Sequence, residues 1–279
     1  MKQQRVILNT DAKNEADDQY AIVHALLSPS LEVVGIIAAH FGRPDSMPAS
    51  LAEVNLLLKL MNRQIRVEPG AHEAMPDEKT PRPSPGAQFI IEEAMKEGTL
   101  NIVFQGPLTD MASALLMEPA IEKRNIHVVW IGGADEPTHY GKEFNLSNDV
   151  HAVNVVLRSK LPVTQIPYPL YSRFCVSHAE VMERVFPHEA IGRYLAEQLI
   201  EFNAGNQEFR SLGDSPGIGV LLAPHAGQWK MQPAPEYDPA TCAVRSNPNN
   251  RPIRVYETFD SRFLLEDFYA KLAQFARKT

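Results

Sequence analysis

Between Asn9 and Asp18 the chain reads NTDAKNEADD, which crowds four acidic side chains, Asp11, Glu15, Asp17 and Asp18, around one turn. An Asp at a helix start often serves as N-cap, and negative charge there gains ~0.3 to 1 kcal/mol, so any one of them has an ordinary structural use. Capping consumes one acceptor. Further carboxylates packed beside it repel one another unless a proton or a cation neutralises them. The set offers hard oxygen and neither imidazole nor thiolate, which points to Ca2+ or Mg2+. Of the two, Ca2+ tolerates the irregular shell of ~6 to 8 oxygens that a loop can supply.

Such a cluster needs elements that hold it in place. Apolar, β-branched runs alternate with stretches of helical period, predicting strands at 6–8, 33–39, 65–67, 101–104, 127–131 and 163–166. Helices are predicted over 17–27, 48–61, 88–96, 109–117, 150–158, 179–185, 189–203 and 260–276. The βαβ order and the continuously apolar strands imply an α/β fold with a mostly parallel central sheet flanked by helices. Ligands of such sheets collect beyond the carboxyl ends of the strands, which is where Asp11 falls. The 279 residues show no internal repeat and suit a single domain, 1–279, burying about 75% of the unfolded chain's surface. Segments 69–85, with five prolines, and 233–251 read as long surface loops.

Composition excludes several partners. The 27 Lys and Arg against 34 Asp and Glu give a net charge of -7, with no basic stripe to neutralise phosphates, so a nucleic-acid polymer is not expected. Cys175 and Cys242 lie far apart and in no CxxC pattern, against a disulfide framework or a thiolate zinc site and in keeping with a reducing cytoplasm. The first apolar run stops at Leu8, too short for a secretory signal, and no stretch approaches the ~18 apolar residues of a membrane span.

The stretch VILNTDAKNEADDQYAI, from Val6, resembles the amino-terminal signature of the inosine-uridine preferring nucleoside hydrolase family, DxDxGxDD followed by a small apolar residue. Later segments resemble the family in the right order: FQGPLTDMASAL from Phe104, Ile131-Gly132-Gly133, the triplet Glu143-Phe144-Asn145 with Asp149, and Asp214 before a helix. The resemblance implies a nucleoside hydrolase-like fold and Ca2+ ligated by Asp11, Asp18, Asp214 and the backbone carbonyl of Gln105. Water and the ribose 2′ and 3′ hydroxyls would fill the remaining positions. Asp17 would be the general base for the attacking water, and neighbouring carboxylates would stabilise the positive charge that builds on the sugar. Glu143 and Asn145 would hold ribose hydroxyls, including the 5′ end, with Asn9 and Asp214 also on the substrate side. The implied reaction turns a ribonucleoside into ribose and free base, as in purine and pyrimidine salvage, and family members tend to be homo-oligomers, dimers or tetramers. The competing class is a sugar- or nucleoside-binding protein on the same scaffold with little turnover, against which a retained Asp17 speaks, since binding alone needs no base.

This chain departs from the family pattern in four places. Asn9 replaces the first Asp, and the segment from Asp11 to Asp17 is two residues longer and lacks the family's glycine, with Lys13 and Glu15 inside it. Arg43 stands where the family often has Asn, and Gly213 replaces the His that precedes the last metal Asp and can protonate the leaving base. Candidates for that task are His40, His139, Arg210 and His225, while Trp229 and Phe209 are candidates for stacking on a base.

Other motifs fail on physical grounds. Gly213-Asp214-Ser215-Pro216-Gly217 fits GxSxG, but the nucleophile elbow needs the N–H after its serine and Pro216 has none, and the polar 203–212 stretch predicts no preceding strand. An aspartyl nucleophile would require DxD where Asn9 stands. Neither HExxH nor GxxxxGK[ST] occurs, and Gly217-Ile218-Gly219 follows no predicted strand.

Overall fold

The computed structural model describes residues 3–134, 142–203 and 207–278. In chain order the strands are β1 (Gln4–Thr10), β2 (Leu31–Ala38), β3 (Val67–Pro69), β4 (Leu100–Phe104), β5 (Ile126–Ile131), β6 (Val163–Ile166), β7 (Cys175–Ser177), β8 (Phe209–Ser211), β9 (Gly227–Pro233), β10 (Glu236–Tyr237), β11 (Val244–Arg245) and β12 (Pro252–Phe259). The helices are α1 (Asp18–Leu27), α2 (Ser46–Leu60), α3 (Pro85–Ala94), α4 (Thr109–Met117), α5 (Phe144–Asn148), α6 (Val150–Arg158), α7 (Tyr168–Tyr171), α8 (His178–Arg184), α9 (Glu189–Asn203), α10 (Ser215–Leu222) and α11 (Ser261–Ala276).

Among the described residues the main sheet has eight strands in the order β3-β2-β1-β4-β5-β6-β12-β9, all pairings parallel except β12 with the edge strand β9. The strands are apolar on both faces because both are covered. Val6 and Leu8 of β1 point into the layer that includes α1, α2, α9, α10 and α11, while Ile7 between them points into the layer of α3, α4 and α6. Strand β4 divides in the same way, Val103 to the first layer and Ile102 and Phe104 to the second. Burying such side chains on both faces at ~1.5 to 3 kcal/mol each is what holds these strands central.

The order reverses between β1 and β4: from β1 the chain steps outward to β2 and β3, then returns to the other side of β1 as β4. The crossovers diverge at that point and leave a crevice beyond the carboxyl ends of β1 and β4, the usual ligand site of an open parallel sheet. Asp11 and Gln105 stand at its two lips.

Several elements differ from the sequence expectation. Strands β9 and β12 complete the far edge of the sheet, although β9, exposed along most of its length, has no apolar pattern to reveal it. Strand β8 falls in the polar 203–212 stretch, where three residues pair with β7. Strand β3 begins at Val67 and lies later than predicted. No helix among the described residues is long and apolar enough to cross a membrane.

Candidate active site

The amino-terminal acidic cluster is built where β1 runs out and α1 begins. Asp11 follows the last strand residue, and the turn after it is closed by Asn14 N–H donating to the Asp11 carbonyl at 2.8 Å. The lengthened segment is carried outward and tied down at both charged positions. Lys13 pairs with Glu53 of α2 and donates to Gln198 of α9, while Glu15 pairs with Arg210 of β8. Asp17 occupies the N-cap position of α1, yet its side chain makes no capping hydrogen bond. Asp18, in the first turn, accepts a hydrogen bond from the Thr10 hydroxyl.

The carboxyl half supplies the matching wall. Asp214 occupies the N-cap position of α10 and also makes no capping bond, so two helix amino ends, each favouring negative charge, present carboxylates that do not cap them. Oxygens of Asp17, Asp18 and Asp214 lie within 4.8 Å of one another. From β4, Gln105 enters the crevice, and Gly106 is needed beside it: a Cβ there would sit 2.9 Å from Cγ of Asp11. Asn145 donates through Nδ2 to the carbonyls of Gln105 and Ile131, each at 2.9 Å, and so ties together the ends of β4 and β5.

These groups line a cavity of about 470 Å3, of which Asp11, Asp17, Asp18, Gln105, Asn145 and Asp214 form the polar floor. Burial raises the pKa of Asp11 well above the ordinary carboxylate range, with Asp18, Asp17 and Glu15 adding to it. Asp18 is raised by burial and by Asp17, and Asp214 by burial, Asp18, Asp17 and Asp11. Burial pushes Asp17 up to about 7, with Glu15 adding and Arg210 opposing. Asp18 and Asp214 stand in hydrogen-bonding contact, which two carboxylates sustain only with a proton or a cation between them.

The donor set fits a hard divalent cation. Oδ2 of Asp11 is buried without a hydrogen-bond partner, and Oε1 of Gln105 is likewise unsatisfied. The Gln105 carbonyl accepts one bond from Asn145 and keeps a second lone pair. Every available ligand is oxygen, the chemistry of Ca2+ or Mg2+ rather than of a softer metal.

The structure therefore brings Asp11, Asp17, Asp18, Gln105, Asn145 and Asp214 to one cavity. Two residues stand elsewhere than the resemblance implies. Asn9 is fully buried in β1 and does not line the cavity; its Nδ2 donates to Asp110 at 2.9 Å, so it supports α4 instead of facing a substrate. Glu143 also lies behind the wall, where its carboxylate caps α5 and accepts the Tyr171 hydroxyl at 2.7 Å.

Of the leaving-group candidates, Arg210 lines the cavity. His40 is buried against Thr109, His225 is exposed outside the cavity, and His139 lies outside the described residues. Phe209 is on the cavity wall, whereas Trp229 sits on β9 under the Arg254 guanidinium, and Arg43 does not line the cavity. Sequence reading missed Tyr168 and Tyr171 on this wall. Their signal was position: α7 follows β6 directly, at the carboxyl end of a parallel strand.

The geometry has relatives. Probable uridine nucleosidase 2 of Arabidopsis thaliana is 26% identical over 180 residues, spanning 54% of this chain and 55% of that protein. Pyrimidine-specific ribonucleoside hydrolase RihB of Escherichia coli (strain SE11) is 25% identical over 254 residues, 80% of each chain. The solved structure of the purine-preferring ribonucleoside hydrolase from Gardnerella vaginalis shares the fold, with a TM-score of 0.85 at 22% identity over 99% of this chain and 100% of that one. With residues 6–264 matching the family as a whole, the chain belongs to the inosine-uridine preferring nucleoside hydrolases, a family of N-glycosyl hydrolases.

Proposed function

We propose that the protein is a Ca2+-dependent hydrolase of ribonucleosides that releases ribose and free base, with Asp17 as general base. The observation that carries this reading is the convergence of Asp17, Asp18 and Asp214, with Asp11 beside them, in one cavity at the switch point of the sheet. Asp11, Asp18, Asp214 and the Gln105 carbonyl would hold the ion. Bound there, it would supply open coordination positions for water and a vicinal diol and make that water easier to deprotonate.

The remaining work belongs to side chains. Asp17, free of capping duty and with its proton affinity raised by burial, takes the proton of the attacking water as oxygen approaches the anomeric carbon. The neighbouring carboxylates stabilise positive charge on the ring as the N-glycosidic bond opens. Asn145 orients the sugar from the wall, and Glu143 fixes that wall from behind.

The same proposal includes a dimeric or tetrameric assembly, testable by light scattering, and a reducing, cytoplasmic setting in which Cys175 and Cys242 stay free thiols. Release of reducing sugar from a nucleoside panel, abolished by chelator and restored by Ca2+, tests the activity. Metal-dependent nucleoside binding without sugar release from any member would overturn it.

A further inference from the structure

The carboxylate of Glu143 is saturated. Its Oε2 accepts from the backbone N–H groups of Gly133 and Leu146, both at 2.8 Å, and its Oε1 accepts from Asn145 N–H at 3.2 Å and from the Tyr171 hydroxyl at 2.7 Å. An ionised carboxylate has about four lone-pair sites, so no strong position is left for a substrate hydroxyl. Three of the donors are backbone groups fixed by the ends of β5 and α5. The fourth is a side chain on the cavity wall, and it stands between Glu143 and the space a ligand would enter.

Tyr171 is held there firmly. Its N–H donates to the Pro167 carbonyl at 3.1 Å, its carbonyl accepts from the Ser211 hydroxyl at 2.9 Å, and its ring packs edge-on against Tyr168 with centroids 5.4 Å apart. The ring also uses the room that Gly213 leaves: a Cβ on residue 213 would lie 2.9 Å from Cδ2 of Tyr171 and 3.1 Å from Oδ2 of Asp17. Any side chain at 213 would collide with the tyrosine or with the base. Gly213 and Tyr171 thus form one arrangement, in which the glycine admits the ring and the ring carries its hydroxyl to Glu143.

This inference rests on the reading above, in which a ribose presents its 2′ and 3′ hydroxyls to the cation. Its one remaining hydroxyl is then at 5′. From these contacts we infer that Tyr171 is a specificity-determining residue whose hydroxyl takes the place of the substrate's 5′ hydroxyl at Glu143, fitting the cavity to ribonucleosides without a hydroxyl at C5′. With Glu143 saturated, the partners that the described residues of this wall leave to a 5′ hydroxyl are neutral, the Asn145 amide and the phenol oxygen. Hydrogen bonds to a charged acceptor are roughly twice as strong as neutral ones, so little discrimination in favour of the hydroxyl remains.

The test compares each cleaved ribonucleoside with its 5′-deoxy counterpart bearing the same base. For the native protein kcat/KM should be equal within about threefold or favour the 5′-deoxy member, where a site built to bind that hydroxyl would reject the deoxy member by ~10^4. Tyr171→Phe keeps the ring and frees Oε1 of Glu143, so the ratio should move toward the hydroxylated nucleoside by about tenfold or more, mainly through KM. Calorimetric binding of ribose and 5-deoxyribose in the presence of Ca2+ should follow the same ordering without turnover.

A native preference for the hydroxylated member above about tenfold would overturn the inference by showing that Tyr171 yields its place. An unchanged ratio in a folded Tyr171→Phe would also overturn it. Should that variant not fold, the native ratio and the two sugar affinities decide alone. Cleavage of neither member for any base would instead remove the nucleoside hydrolase reading, and this inference with it.

Discussion

The ammonium nitrogen of Lys13, inside the lengthened β1–α1 segment, lies 3.1 Å from Oε2 of Glu53 on α2. Oε1 of the same carboxylate accepts from Tyr194 of α9 at 2.6 Å and from Gln19 of α1 at 3.1 Å. One buried carboxylate therefore joins three helices to the segment that ends in Asp17. Glu53→Ala removes the acceptor shared by Lys13, Tyr194 and Gln19 and leaves Gln19 Nε2 to the Ala12 and Glu15 carbonyls alone, for an expected loss of about 1 to 3 kcal/mol in urea unfolding. Since ~1 Å of misplacement at a reacting group can cost about 100-fold, kcat should fall well beyond what partial unfolding explains. A Glu53→Ala protein with full kcat would show that the segment holds its shape unaided.

Asp17 and Asp214 should separate in their kinetics. Asp17→Asn keeps the size and one acceptor but abolishes the base, so kcat should drop by roughly 10^2 to 10^4 with Ca2+ affinity changed far less. Asp214→Ala takes a ligand from the proposed ion and should raise the Ca2+ concentration needed for half-maximal activity. Both are read from reducing-sugar release across a Ca2+ titration, and equal shifts in Ca2+ dependence would contradict the division of roles.

Chelation should destabilise the fold as well as stop turnover. The carboxylates in contact at the cavity floor repel one another without a cation, and a ligand at about 100 times its Kd adds ~2.7 kcal/mol to stability. Thermal unfolding at neutral pH with millimolar Ca2+ and with EDTA should differ in Tm by several degrees. Asp18→Asn, which relieves part of the repulsion, should shrink the difference.

His40 should give a pH-dependent stability of definite sign. Its Nε2 lies 2.9 Å from the Thr109 hydroxyl, which in turn donates to Asp149 at 2.7 Å, and its Nδ1 accepts from Gly42 N–H. Nε2 must then carry the proton, and a second proton on Nδ1 would face another donor. Burial, with His72 adding, lowers its pKa to about 4, below the 6.5 of an unperturbed imidazole. Between those values the unfolded chain binds more protons, so this contribution is complete above pH ~6.5 and is lost as pH falls through about 4, on the order of 3 kcal/mol in all. Urea unfolding from pH 7 to 4 should show His40→Gln losing its stability deficit relative to the native protein as pH falls. A constant difference would contradict the assignment.

The local sequence by itself determined much of this protein. The boundaries of α4, α6, β6 and α9 follow from apolar period, because each buries a regular stripe or a continuous strand face. Asp11, Asp17 and Asp18 were legible as one site because they are neighbours in the chain, and like charges at such spacing demand neutralisation. The tertiary structure decided everything that depends on partners distant in sequence. It brought Asp214 into the cluster, withdrew Asn9 onto Asp110, saturated Glu143, and seated Tyr171 in the space beside Gly213. Residue type tells which hydrogen bonds a side chain can make, but only the packed chain determines which partner arrives first and whether a lone pair remains for a substrate.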